Sequence, residues 1–138
     1  MSTSERLLRD KSTEGVMSKK VLIVDDSRTI RQQVNFTLSK GGFEVIEAED
    51  GKDGIEKLKE HPDISMIISD VNMPNMNGLE MVEAISGESG GSHPPIVMLT
   101  TEGSADLVER AKKAGAKGWL VKPFKPDQLV AVVTRLVA

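Results

Sequence analysis

The stretch VLIVDDS, residues 21–27, decides the fold of this chain. Its four apolar residues, three of them β-branched, run without alternation, a pattern typical of a strand buried on both faces. Two adjacent carboxylates, Asp25 and Asp26, follow directly, where burial and mutual repulsion both oppose ionisation. The two acids at the end of this strand raise the question of which positive charge compensates them.

The rest of the chain repeats this order of a short apolar run followed by an amphipathic helical pattern. The apolar runs cover residues 21–24, 43–46, 64–69, 96–100 and 118–121. Helix boundaries are indicated by Ser27 and Ser104 as N-caps, by Gly41 and Gly115 as ends, and by Pro126 in a first turn. Five strands alternating with five helices predict an α/β fold, (βα)5, with a doubly wound parallel sheet covered on both faces.

Polar residues stand where the predicted strands end. They are Asp25 and Asp26 after the first strand, Asp70 after the third, Thr100 at the end of the fourth and Lys122 after the fifth. In open parallel sheets, sites form beyond the carboxyl ends of the strands. The topology therefore predicts that these five residues face one crevice.

The chemistry of this group favours a metal and a phosphate. All-oxygen ligation by few protein groups suits Mg²⁺, which keeps several waters and commonly completes its shell with phosphate. Lys122 is a single mobile cation of the kind that binds phosphate as a point charge. Three acids, a hydroxyl and an ammonium indicate phosphoryl chemistry, in which positioning and charge neutralisation do most of the catalysis.

Composition limits the other classes of function. The chain has 138 residues, a formal net charge of −3 and no cysteine, and it has no long apolar stretch or basic run. We therefore expect one soluble, cytoplasmic domain that binds neither nucleic acid nor membrane. Residues 1–16 lack a strand pattern and are predicted to be a flexible tail, native or left by cloning, ahead of a single domain over 17–138.

Four motifs together resemble the response-regulator receiver domain. They are VLIVDDS (21–27), SDVNMPNMNG (69–78), MLTTEG (98–103) and GWLVKPF (118–124), in that family's order. The match covers about residues 19–138 and is strongest to the stand-alone members that act in chemotaxis. The resemblance implies a flavodoxin-like five-stranded sheet in the order 2-1-3-4-5.

The resemblance also implies a role for each residue of the crevice. Asp70 is the expected phosphoacceptor, which forms an acyl phosphate. Mg²⁺ is expected to be ligated by Asp26 and Asp70, by Asp25 mainly through water, and by the backbone carbonyl of Asn72.

Further implied roles concern the fourth and fifth strands. Lys122 is expected to pair with the phosphoryl oxygens, and the Lys122–Pro123 bond to be cis. Thr100 is expected to bond the phosphoryl group, with Trp119 as the switch aromatic that changes rotamer with it. The neighbouring Thr101, together with Asn72 and Glu102 at positions that tune water access, suggests a short phosphoryl lifetime.

As a whole, the resemblance implies a two-component signalling protein and not an enzyme on free substrates. Its phosphoryl donor would be a histidine kinase of the chemotaxis type. Phosphorylation would then reshape the surface of residues 104–137. Because the sequence ends at Ala138 without a DNA-binding module, output by a monomer through protein contact is expected. The flagellar motor switch and a phosphatase are the partners that the resemblance suggests.

Three alternatives remain open. A phosphate sink or relay intermediate without a motor target would share every motif. An aspartate-nucleophile phosphohydrolase usually carries its two acids two residues apart, whereas here they are adjacent. A flavin-binding module on the same fold would place two acids in the loop DDSRTI, residues 25–30, where phosphate needs backbone amides.

Three further features depart from the family pattern or lack a role in it. The loop GESGGSHPP, residues 87–95, looks longer than the family needs and is predicted to be a flexible surface excursion. Tryptophan is an uncommon switch residue, and Trp119 is also compatible with a core anchor. His61 and His93 both precede proline and are interpreted as structural or neutral.

Overall fold

The computed structural model of the protein describes residues 18–101 and 103–137. The predicted tail, residues 1–16, and Glu102 therefore lie outside the described residues. Five strands alternate with five helices along this part of the chain. The strands are β1 (Lys20–Val24), β2 (Glu44–Ala48), β3 (Ile64–Ser69), β4 (Ile96–Thr100) and β5 (Gly118–Val121); the helices are α1 (Arg28–Lys40), α2 (Gly51–Glu60), α3 (Gly78–Ser89), α4 (Ala105–Ala114) and α5 (Pro126–Val137).

All five strands are parallel and lie in the order β2-β1-β3-β4-β5. This confirms the predicted α/β class and strand order. The predicted bounds of β3, β4 and β5 are confirmed as well, whereas β2 begins and ends later than the run 43–46 indicated. Phe43 is apolar but packs beside α1, and pairing with β1 begins only at Glu44.

Two apolar layers cover the two faces of the sheet, because successive strand residues point to opposite sides. On one face, Leu22 and Val24 of β1 pack in a cluster with Leu79 and Val82 of α3 and Ala111 of α4. On the other, Val21 and Ile23 lie among Val34 and Leu38 of α1 and Leu129 and Val133 of α5. The uninterrupted apolar run of β1 is thus explained by burial on both faces.

The helix ends follow the predicted cap chemistry. The Ser27 hydroxyl accepts from the Ile30 N–H at 3.3 Å, and Ser104 caps α4 in the same way. Gly115 ends α4 with a φ of +115°, a left-handed conformation that favours glycine. Within the described residues, no helix has the length and apolar character needed to cross a membrane.

The loop predicted over residues 87–95 is shorter in the structure. Helix α3 continues through Ser89, so that only residues 90–95 connect it to β4. His93 fastens this connection, since its ring lies 3.1 Å from the Ser86 hydroxyl and 2.8 Å from the Pro94 carbonyl oxygen. The Ser86 hydroxyl in turn donates to the Ala114 carbonyl at the end of α4. The prediction of a loop through residues 87–89 was wrong, because Gly87 is tolerated in an exposed helical turn.

Candidate functional site

The carboxyl ends of β1, β3 and β5 bring Asp25, Asp70 and Lys122 together. Their backbone N–H groups each donate to a carbonyl of the neighbouring strand at 2.9–3.0 Å, so the sheet fixes their positions one residue beyond the strands. Asp25 is fully buried and Asp70 is 8% exposed. The predicted convergence of these three residues is therefore observed.

Lys122 bridges the two buried carboxylates. Its Nζ donates to Asp25 Oδ2 at 2.7 Å and to Asp70 Oδ2 at 3.0 Å, and its side chain is only 12% exposed. Burial opposes the charge of Lys122, but its bonds to the two aspartates outweigh that effect and raise its pKa above the ordinary 10.5. Lys122 is therefore a charged ammonium at neutral pH.

Burial has the opposite consequence for Asp25. It raises the pKa of this carboxyl above its ordinary 3.8, although the bonds from Lys122 and from the Ser27 N–H act against the shift. The charge of Asp70 nearby also raises it. One lysine thus compensates the carboxylates only in part, and a further cation would stabilise the charged form of Asp25.

The third carboxylate completes a cluster that could hold a metal ion. Asp25, Asp26 and Asp70 each offer an oxygen, and these ligand atoms all lie within 4.8 Å of one another. Asp26 is exposed, so the cluster has one face open to solvent. The donors are all carboxylate oxygens, which suits a hard divalent cation that keeps part of its water shell.

Backbone groups that the sequence did not reveal hold the two buried carboxylates in place. Asp25 Oδ1 accepts from the Ser27 N–H at 2.9 Å, and Asp70 Oδ1 accepts from the Val71 N–H at 2.7 Å. Each aspartate therefore has one oxygen bound to the backbone and the other directed to Lys122. Such backbone donors exist at every residue except proline, so no residue type in the sequence marks them.

Gly78 is a second residue whose role only the structure reveals. A Cβ at this position would lie 1.9 Å from the backbone oxygen of Asp70, so that any side chain would displace Asp70. Its N–H donates to the Val71 carbonyl at 2.8 Å and closes the loop between β3 and α3. The glycine is the last residue of the motif SDVNMPNMNG, residues 69–78, and the motif by itself does not predict this contact.

The remaining predicted residues lie on β4, on β5 and in the loop after β3. Thr100 is fully buried at the carboxyl end of β4, and Asn72 is exposed in the loop two residues after Asp70. Trp119 is partly buried against the same core layer as α3 and α4, and its indole N–H has no hydrogen-bond partner among the described residues. The Lys122–Pro123 peptide bond is cis, as the resemblance implied.

Sequence comparison relates this chain to a known protein family. Residues 21–134 match the family described as response regulator receiver domain. The chain is 46% identical to chemotaxis protein CheY1 of Helicobacter pylori over 111 residues, which are 80% of this chain and 90% of that protein.

Solved structures resemble the fold over the same region. Chemotaxis protein CheY4 of Vibrio cholerae, crystallised at low pH, superimposes with a TM-score of 0.80 at 46% identity, covering 86% of this chain and 98% of that one. The CheX–CheY–BeF3–Mg²⁺ complex from Borrelia burgdorferi gives a TM-score of 0.80 at 30% identity, covering 87% of this chain and 90% of that one.

Proposed function

This chain belongs to the response regulator receiver domain family, and on that basis we propose that it is a phosphorylation-controlled signalling switch with Asp70 as phosphoacceptor. One observation supports this most directly: Lys122 lies between Asp25 and Asp70, within a cluster of three carboxylates. The arrangement supplies a nucleophile, a set of metal ligands and a cation at the same strand ends.

The proposed reaction moves one phosphoryl group. A carboxylate oxygen of Asp70 attacks the phosphorus of a phosphohistidine, the P–N bond breaks, and the imidazole leaves with the bonding electrons and takes up a proton. Asp70 Oδ1 is bound to the Val71 N–H, so Oδ2, which now faces Lys122, is the oxygen directed into the site. After the transfer, the Lys122 ammonium would bind the phosphoryl oxygens in place of Asp70 Oδ2.

We propose Mg²⁺ as the cation of this site. Asp26 and Asp70 would hold it directly, Asp25 mainly through water, and the backbone carbonyl of Asn72 would add a fourth contact. When bound, Mg²⁺ neutralises charge on the carboxylates and on the phosphoryl oxygens. The open face at Asp26 and the partial compensation of Asp25 by Lys122 both support this assignment.

A chemotaxis-type histidine kinase is the proposed donor. A groove of about 610 Å³ runs beside Lys122 and is lined by Ile30 and Phe36 of α1 and by Pro123, Phe124 and Pro126. Phe36 is 66% exposed and borders this groove, so that it would provide an apolar contact for the donor protein beside the site. The proposed output is a protein, such as a motor switch component or a phosphatase, that reads the surface of α4, β5 and α5.

The test combines mass spectrometry with fluorescence of Trp119, the only tryptophan in the chain. Addition of Mg²⁺ should change the emission, and a small phosphodonor should then add the mass of one phosphoryl group. Asp70→Asn keeps one oxygen at this position, so it should still respond to Mg²⁺, at a higher concentration than the wild type, but gain no mass. Mass gain that persists in Asp70→Asn, or none in the wild-type protein with millimolar Mg²⁺, would contradict the proposal.

Two further experiments separate the alternatives. Binding of the phosphorylated protein to a motor-switch peptide would support motor control, whereas equal affinity with and without phosphorylation would favour a phosphate sink or relay. Multiple turnovers with generic phosphate esters would instead indicate a phosphohydrolase.

A further inference from the structure

Asp50 is a buried carboxylate that has no role in the proposed phosphoryl transfer. Five polar or charged residues of the described part of the chain are buried: Asp25, Asp50, Ser69, Asp70 and Thr100. Four of them stand at the carboxyl ends of β1, β3 and β4. Asp50, which is 7% exposed, lies instead at the N-terminus of α2. A buried carboxylate needs partners, and its partners indicate its function.

Each carboxylate oxygen of Asp50 binds a different element. Oδ1 accepts from the backbone N–H of Asp53 at 2.8 Å and so caps α2. Oδ2 accepts from the side-chain amide of Asn75 at 2.7 Å, and Asn75 belongs to the loop between β3 and α3. Asp50 therefore does more than cap a helix, because it also ties that helix to the loop that follows Asp70.

The backbone next to Asp50 makes the same connection. The N–H of Gly51 donates to the carbonyl of Met76 at 3.0 Å. A Cβ on Gly51 would lie 2.7 Å from that carbonyl oxygen, so the close approach requires glycine. Asn75 itself has a φ of +66°, and it is the one non-glycine residue with positive φ among the described residues. The tip of the loop thus fits against the start of α2.

The loop bound in this way is the one that carries the proposed metal ligands. The loop leaves the sheet at Asp70, its base is closed by the bond from Gly78 to Val71, and its tip is bound to Asp50. Asn72, whose carbonyl is the proposed ligand, lies between base and tip. Once both ends are fixed, the backbone at Asn72 has little freedom to move.

We propose that Asp50 is a positioning residue for the metal site, acting through Asn75 on the loop that carries Asn72. The proposal rests on the proposed function, since it assumes that Mg²⁺ is bound by Asp70 and the Asn72 carbonyl. It assigns to Asp50 a part in metal binding although Asp50 touches none of the ligands. The competing explanation is that Asp50 serves only as the N-cap of α2.

Two variants remove the hydrogen bond between Asp50 and Asn75 in different ways. Asp50→Asn replaces one of the two carboxylate oxygens by an NH2 group, which donates and cannot accept. In the present geometry either the Asp53 N–H or the Asn75 amide therefore loses its acceptor. Asn75→Gly keeps the left-handed backbone but removes the amide donor. Each is expected to weaken Mg²⁺ binding about tenfold, at the lower end of the effects of outer-shell partners on metal affinity. Titration calorimetry with MgCl2 measures this, and the rate of phosphorylation by a small donor should fall in parallel.

A reciprocal exchange separates positioning from simple structural damage. Asn75→Asp alone sets two carboxylates against each other and should weaken Mg²⁺ binding further. The double variant Asp50→Asn with Asn75→Asp again places an amide donor opposite a carboxylate and retains a capping oxygen on α2. It should recover Mg²⁺ affinity to within about threefold of wild type, because the donor–acceptor pair is restored.

Asp53→Asn is the matched control, since Asp53 lies in the same first turn of α2, where its side chain binds Lys57 and the Glu49 N–H, and it makes no bond to the loop within the part of the chain that the structure describes. This control should leave Mg²⁺ affinity unchanged. Urea unfolding measures the stability of every variant, so that a general loss of stability can be recognised. Unchanged affinity in Asp50→Asn and Asn75→Gly, with a wild-type protein that binds Mg²⁺, would overturn the positioning role alone. An equal loss in Asp53→Asn would overturn it as well, whereas a wild-type protein that binds no Mg²⁺ overturns this inference and the proposed function together.

Discussion

At the scale of single residues, Asp25 and Lys122 show how a functional site opposes stability. Asp25 is fully buried at the end of β1, and Lys122 compensates its charge only in part, so that its pKa lies above 3.8. The folded protein consequently holds a proton on Asp25 more tightly than the unfolded chain does. Where the unfolded chain has lost the proton and the folded one retains it, the free energy of unfolding falls as the pH rises.

Removing the charge of Asp25 should therefore stabilise the metal-free protein. Asp25→Asn is expected to raise the free energy of unfolding at pH 7 by on the order of 1 kcal/mol, because a buried and partly compensated charge is replaced by a neutral amide. The advantage should shrink as the pH falls, because the raised pKa of Asp25 lets the folded wild type take up a proton before the unfolded chain does. Urea unfolding in EDTA between pH 4 and 7 measures the difference, and a variant less stable than wild type at pH 7 would contradict the expectation.

Removing the cation should have the reverse effect. Lys122→Met leaves Asp25 and Asp70 without their shared ammonium, so the metal-free protein should lose about 2–3 kcal/mol of stability. Added Mg²⁺ should then raise its melting temperature more than that of the wild type, since the metal replaces the missing charge. Lys125→Met, at an exposed position three residues later, serves as control. Equal thermal shifts with Mg²⁺ in both variants would show that Lys122 does not compensate the acids.

At the scale of elements, most boundaries followed from local chemistry. Ser27 and Ser104 cap helices, Pro126 begins α5, and Gly115 ends α4, all as the residue types predict. The prediction that α3 ends before Gly87 was wrong, because Gly87 and the glycines after it favour a loop in the sequence whereas the helix continues through Ser89. Tertiary contacts decided that region, where Ser86 and His93 attach the end of α3 and the following connection to the C-terminus of α4.

Two glycines near this junction should respond to alanine in opposite directions. Gly115 has a φ of +115°, and a Cβ there would lie 3.1 Å from the Ser86 hydroxyl oxygen, so Gly115→Ala should cost about 1–2 kcal/mol. Gly87 lies in α3 with nothing within 4 Å of an added Cβ, so Gly87→Ala should stabilise the protein by about 0.5–1 kcal/mol. Chemical denaturation compares the two variants, and destabilisation by both would argue against the helical assignment of Gly87.

At the scale of the whole molecule, the proposed switch must carry a signal from Asp70 to the surface around β5. Thr100 is buried at the end of β4, and Trp119 pairs in register with Met98, two residues before Thr100. The indole of Trp119 also has a buried N–H without a partner among the described residues. A donor left in this state is a reason to expect that the ring has a second arrangement in which it is satisfied.

Removing the hydroxyl of Thr100 should uncouple the two ends of this switch. Thr100→Val keeps the volume of the side chain, so Asp70 should still gain a phosphoryl group in mass spectrometry, while the Trp119 emission change that follows phosphorylation should be lost. Thr101→Val, at the exposed neighbouring position, should retain both responses. A full fluorescence response in Thr100→Val would exclude Thr100 as the connecting residue.

The sequence by itself determined the fold class, the strand order through the family resemblance, and the identity of the acids and the lysine that meet. Short apolar runs, period-3.6 patterns and cap residues are local, and the carboxyl ends of parallel strands always share one edge of the sheet. Only the tertiary structure decided which oxygen of Asp70 faces Lys122, why Gly78 must lack a side chain, and that Asp50 binds Asn75. These contacts join residues that are distant in the chain or involve backbone groups common to all residue types, so no sequence pattern encodes them.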